Sequence, residues 1–279
     1  MGNLILAVLS SALVSITMRA SEARVKNNTA MLAVNYIMCS LLSWADAGFG
    51  SWFPGEAGLP FTLALGLVNG VLYLAGFVLL QLSIRKNGVV LSSTFLKLGL
   101  LVSMVVSVLF FRERPMLWQW LGFFLALAAI VLINYRPGTG KAEAKWGLLL
   151  LLLAGGGGDA MSKVFEELGN PALSGHFLLY TFAAAFLLCA ALSAASGKGR
   201  PGPREWAFGA LIGIPNFFSA KFLLAALDTV PAVIVYPVSS VGTILVVTLA
   251  GVLIFTERLK NRQWLALGMI LGALVLLNV

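Results

Sequence analysis

Apolar residues in this chain come in long blocks rather than in alternation. Ten blocks run at about 3–18, 29–46, 60–83, 88–111, 115–135, 146–165, 173–195, 205–227, 231–255 and 262–279. Each approaches the roughly 20 apolar residues that carry a helix across a bilayer. Helices also satisfy their own backbone groups in lipid. The pattern therefore predicts an all-α, polytopic membrane protein with ten transmembrane helices. Pro54, Pro60, Pro115, Pro137, Pro171, Pro201, Pro203 and Pro231 fall at or near block ends, as helix punctuation does. Trp44, Trp52, Trp118, Trp120, Trp146, Trp206 and Trp264 lie there too, the pattern of an interfacial aromatic belt. The longest connections are 47–59 and 196–204, and neither has room for a soluble domain. The first block has no basic region before it and no small-x-small site after it, so it reads as a membrane helix rather than a signal peptide.

Composition narrows the class further. Only 11% of the 279 residues are charged and 59% are hydrophobic, where a soluble domain carries about 25% charged residues. The mean hydropathy is +0.95. A soluble enzyme, a nucleic-acid-binding domain and a disordered tail are set aside. The single histidine, His176, and the two cysteines, Cys39 and Cys189, supply no metal set, disulfide framework or Cys/His catalytic pair. No Walker A pattern is present. The chain is thus expected to be no enzyme and to hold no cofactor or metal. Its expected partners are the lipid bilayer and a small-molecule solute.

The net charge of +8 carries orientation. The odd-numbered loops hold fourteen Lys and Arg residues, among them Arg85, Lys86, Arg136, Lys198 and Arg258. The opposite side holds three: Arg112, Arg114 and, at a span end, Lys163. By the positive-inside rule the odd loops face the cytoplasm and both termini lie outside.

An internal repeat is the most informative pattern. Placing 111–135 over 255–279, an offset of 144, matches 11 of 25 positions without a gap. Phe111/Phe255, Glu113/Glu257, Arg114/Arg258, Gln119/Gln263, Trp120/Trp264 and Leu121/Leu265 are among them. The same offset sets Val89 on Val233 and Leu67 on Leu211. The expected organisation is one membrane domain of two five-helix repeats, 1–140 and 141–279. Five is odd, so the second repeat enters the membrane in the opposite direction. Such inverted pairs are typical of secondary transporters, with substrate bound near the midplane.

The Phe-x-Glu-Arg turn followed by Gln-Trp-Leu, in a five-plus-five arrangement of about 280 residues, resembles the drug/metabolite transporter superfamily, EamA-like branch. The resemblance implies a transporter of small metabolites and a cavity lined by spans one, three, four, six, eight and nine. It also implies cytoplasmic termini, against the charge count. The family often has a proline in the fourth span of each repeat; Pro237 fits, whereas Ser93 stands in the first repeat.

Ionisable groups deep in a span are costly and mark function. At ~1.5 Å rise per residue, Lys97 and Asp159 lie roughly 4–5 Å from their span centres, Lys221 about 7–8 Å and Lys163 about 10 Å. Lys163 is then free to snorkel to the headgroups. Asp159 follows Gly155-Gly156-Gly157-Gly158, which lets a backbone or ligand approach. By location it resembles the acidic residue of small multidrug resistance proteins, a proton-coupling candidate. It also stands four residues before Lys163, the spacing of a structural ion pair. Lys97 has Ser93 and Thr94 one turn before it and suits a carboxylate or phosphate; a bundle lysine satisfied by Asp159 or by carbonyls is the alternative. Lys221 follows Pro215-Asn216, where a broken helix frees backbone groups. Asn69 and Tyr73, and Tyr236 and Ser240, give spans three and nine polar faces; helix–helix adhesion is the alternative for each. Glu113 and Glu257 are expected to cap the following helix or pair with the adjacent arginine.

These residues point to a secondary transporter of an amino-acid-like, zwitterionic or anionic metabolite, in the inner membrane of a bacterium. The alternative is a proton-coupled exporter of cationic drugs or quaternary amines using Asp159. More distant are a non-transporting scaffold and an intramembrane enzyme, neither of which predicts an inverted repeat.

Overall fold

The computed structural model describes residues 1–21, 24–134, 145–195, 201–253 and 261–278. Among them all regular structure is helical: α1 (Gly2–Ser21), α2 (Asn28–Asp46), α3 (Leu59–Lys97), α4 (Leu100–Leu109), α5 (Leu117–Asn134), α6 (Lys145–Leu168), α7 (Ser174–Ala195), α8 (Pro203–Leu227), α9 (Ala232–Leu253) and α10 (Asn261–Leu277). The turn Phe255–Arg258, with Glu257, lies outside the described residues, as do Arg136, Lys198 and the side chain of Ser93. Among the described residues, six helical segments are long and apolar enough to cross a membrane: Gly2–Ser21, Leu59–Leu80, Trp146–Leu168, Pro171–Ala195, Pro203–Leu227 and Ala232–Leu253. Thr94–Leu109, Leu117–Leu132 and Asn261–Leu277 are shorter apolar helices. Many large apolar side chains point outward, including Leu109, Phe110, Leu117, Trp146, Leu253 and Trp264. Lipid, rather than water, is the solvent such a surface requires.

The helix pattern departs from the apolar blocks in α3. The helical assignment runs unbroken from Leu59 to Lys97, through the expected loop at 84–87. Yet the Ser92 hydroxyl donates to the Ser83 hydroxyl at 2.9 Å. Nine residues of straight helix rise about 13.5 Å, so the chain doubles back between these serines. The reversal survives, but it is built from helical turns instead of an open loop. The regular helix is interrupted later, at Leu98–Gly99, inside what the hydropathy marks as a single span. There Gly99 N–H reaches Leu96 O at 3.2 Å and Val102 N–H reaches Gly99 O at 2.8 Å, the tighter i→i+3 pattern.

The helices form two compact units. One comprises residues 2–74 and 164–225, the other 75–163 and 226–279 with Met1. Each draws on both halves of the sequence. In the first, α2 packs along α7; in the second, α5 packs along α10 and α4 along α9. Every one of these pairs joins repeat equivalents.

Glycines set the spacing in the α2–α7 unit. A Cβ on Gly66 of α3 would lie 2.6 Å from Tyr180 Cβ, and one on Gly70 2.6 Å from Ala184 Cβ, both on α7. On α8, Gly209 and Gly213 meet Val34 and Met38 of α2 at 2.6 and 2.7 Å in the same way. Both are Gly-x-x-x-Gly pairs, one face of one turn, where the lack of a side chain brings backbones together.

Candidate functional site

Two of the charges marked by the sequence, Lys97 and Asp159, belong to the α5–α10 unit. Lys97 ends α3 at the interruption, and Asp159 lies on α6. Both are half-buried, and the backbones that carry them meet two residues after Lys97 and three residues before Asp159. The four-glycine run explains how α6 reaches this point. A Cβ on Gly99 would lie 2.6 Å from the Gly156 nitrogen, so two backbones touch where the helix is interrupted. The glycines serve backbone approach, and α6 remains helical through them.

Tyr236 joins the same constellation. Its hydroxyl donates to the Asp159 carbonyl oxygen at 2.6 Å, and its ring is buried. Pro237 follows within a continuous α9, and Ser240 lies half-buried one turn later. Thr94 is buried on α3 beside Lys97. Lys97, Asp159 and Tyr236 thus belong to one contiguous packing unit, though they are far apart in sequence.

Lys163 departs from expectation. Its ammonium does not snorkel: the side chain is 3% exposed and pairs with Glu113 at 3.1 Å. The Phe111 ring lies 5.9 Å from the same ammonium. Glu113 in turn does not cap the helix that follows it. Its two carboxylate oxygens accept from the backbone N–H groups of Ala232 at 2.9 Å and Val233 at 3.0 Å, the first turn of α9. A left-handed Arg112, at φ +55°, helps turn the chain so that the carboxylate reaches across. The recurrent Phe-x-Glu-Arg turn is therefore a tertiary clamp in the first repeat.

The remaining sequence-marked residues lie in the α2–α7 unit. Asn216 donates to Asn35 Oδ1 at 3.1 Å, and the Cys39 thiol donates to Gly213 O at 3.3 Å. Asn35, fully buried on α2, is a residue that sequence reasoning missed, although an asparagine within an apolar block was the available signal. Helix α8 continues through Pro215 instead of breaking, and the backbone group that the proline frees is the Leu211 carbonyl one turn before it. Lys221 is bonded to Asp46 and is 39% exposed. Asn69 donates to Thr181 at 3.4 Å, and Tyr73 meets Phe182 edge-on at 5.9 Å. His176 binds the Ser51 carbonyl at 3.1 Å, which fits an anchor for the 47–58 connection.

Comparison with known proteins decides the family. The EamA-like transporter family profile matches residues 2–135 and again 144–279. The chain belongs to the EamA-like transporter family. It is an integral membrane protein of a transporter family with a two-repeat architecture. An uncharacterized protein of Haemophilus influenzae is 24% identical over 293 aligned positions, covering 98% of this chain and 96% of its own. A crystal structure with 15% identity superposes with a TM-score of 0.76 over 98% of this chain and 94% of the other. At that identity the likeness is one of fold.

Proposed function

We propose that this protein is a secondary transporter that moves a small polar metabolite, zwitterionic or anionic, across a bacterial inner membrane by alternating access. Ten membrane-crossing segments in two inverted five-helix repeats are part of this reading. The two-fold match to one family profile supports it. The observation that carries the substrate class is the contact of the Gly99 and Gly156 backbones, which brings the segments bearing Lys97 and Asp159 together at a helix interruption. Interrupted helices expose backbone groups for ligands, and opposite charges complement the two ends of an amino-acid-like solute. Tyr236 and Ser240 extend the polar face along α9. The alternative use of Asp159 is proton-coupled export of a cation.

A thermal-shift screen of purified protein against a metabolite library at two pH values tests the reading. A solute that binds the folded state raises the melting temperature, more so as its concentration exceeds its Kd. The expected hits carry a carboxylate or phosphate, and they cross the membrane in proteoliposomes. Lys97→Ala should weaken binding of those hits by roughly tenfold, the loss of one charge-assisted contact. Unaltered affinity in Lys97→Ala removes the lysine anchor, and absence of flux for every hit removes transport. For orientation, the fourteen-to-three charge count predicts that a cytoplasm-only reporter fused at Val279 stays silent.

A further inference from the structure

Glu113 is tied to two helices at once. It pairs with Lys163 on α6 and accepts from Ala232 and Val233 at the start of α9. Lys163 lies four residues, one helical turn, beyond Asp159. Tyr236 lies three residues, again one turn, beyond Val233. The Tyr236–Asp159 hydrogen bond therefore sits one rung along from the Glu113 joint, between the same two antiparallel helices. The rungs have different chemistry. The Tyr236 contact ends on a backbone carbonyl and leaves the Asp159 carboxylate uncommitted to it. The Glu113 joint uses a full charge, shared between an ammonium and the positive end of a helix.

We propose that Glu113 is a positioning residue for the Lys97–Asp159 site: its carboxylate sets the register of α6 against α9 and so presents Asp159 to Lys97. The inference rests on the transport reading for its purpose, though not for its geometry. Glu113 touches no solute. It keeps the two helices in register at this end, because sliding α6 by a turn would strand the buried Lys163 ammonium, and sliding α9 would strand the buried Ala232 and Val233 N–H groups. Arg112 and Arg114 neighbour the carboxylate in sequence; the ammonium that meets it is that of Lys163.

The test uses Glu113→Gln, whose amide oxygen retains one acceptor but no charge. Hydrogen-exchange mass spectrometry should show the 230–237 segment of α9 exchanging about tenfold faster, with α8 unchanged. A cysteine placed at Ser240 should react faster with a membrane-impermeant maleimide in the same variant. Glu113→Asp should recover part of both effects, since it keeps the charge on a shorter arm. The reversed pair, Glu113→Lys with Lys163→Glu, should recover neither, because a lysine cannot accept from the α9 amides. Equal exchange in α9 and α8 of Glu113→Gln overturns the proposal, as does full recovery in the reversed pair. Neither readout needs a solute. Failure of the clamp is thereby distinct from failure of the transport reading, which shows as absent flux in unmodified protein.

Discussion

The two compact units bury different chemistry. The α2–α7 unit is held mainly by neutral contacts: paired glycine faces, the Asn35–Asn216 amide pair, the Asn69–Thr181 bond and stacked rings such as Phe165 on Phe177 at 4.4 Å, with one buried carboxylate, Glu205, accepting from the Lys26 and Asn27 N–H groups. Its Lys221–Asp46 ion pair is half-exposed. The α5–α10 unit buries the Lys163–Glu113 ion pair and also contains Lys97 and Asp159. Neutral groups can be satisfied by a neighbouring helix and then left alone. A charge taken out of water costs several kcal/mol unless paired, so it persists only where it does something.

The largest expected break in this contrast comes from Lys163→Met. It takes from Glu113 its ammonium partner in a buried setting, a change that costs about 3–5 kcal/mol. Thermal unfolding in detergent should show a larger fall in melting temperature for this variant than for Gly66→Leu or Lys221→Ala. Next is Gly66→Leu, in the unit held mainly by neutral contacts. Its side chain would enter space already held by Tyr180 and Phe177, and overpacking of this kind costs about 1–3 kcal/mol. A smaller loss from Gly66→Leu than from Lys163→Met sharpens the contrast; the reverse order breaks it.

Asp159→Asn separates the two versions of transport. If Asp159 carries protons, flux of a screened solute in proteoliposomes becomes independent of pH in the variant. If Asp159 is a fixed partner of Lys97 and of the solute, affinity falls while the pH dependence keeps its shape. The smallest effect belongs to Lys221→Ala. Its pair with Asp46 is partly solvated, and such pairs contribute about 0–1 kcal/mol. A large loss of melting temperature there would show that the α2–α7 unit depends on charge after all.

Much of the fold is legible in the sequence. Hydropathy blocks locate nearly every helix, because lipid imposes a long apolar run on anything that crosses it. The Glu-Arg and Gln-Trp-Leu matches expose the repeat, since residues of such distinct chemistry rarely recur together at one offset. Lys97 and Asp159 stand out because a charge is conspicuous among leucines. The misreadings have a common cause. Distance from a span centre sends Lys163 to the headgroups, and proximity in sequence assigns Glu113 to the following helix or the adjacent arginine. Each is instead paired with a group from another element, and depth along one helix carries no information about what the next helix presents. Pro215 reads as a break, yet α8 continues through it.

The amino-acid sequence alone determined that this chain is helical, lives in a membrane, is doubled, and carries a few charges where charges are expensive. Those properties follow from local composition and from spacing along the chain. Only the tertiary structure decided the partners. Gly156 meets Gly99, Tyr236 meets the Asp159 carbonyl, and Glu113 reaches the first turn of α9, 119 residues away. Helix pairing in lipid is set by shape and by hydrogen bonds between side chains and backbones. Those complementarities exist between surfaces, and no stretch of sequence contains both surfaces at once.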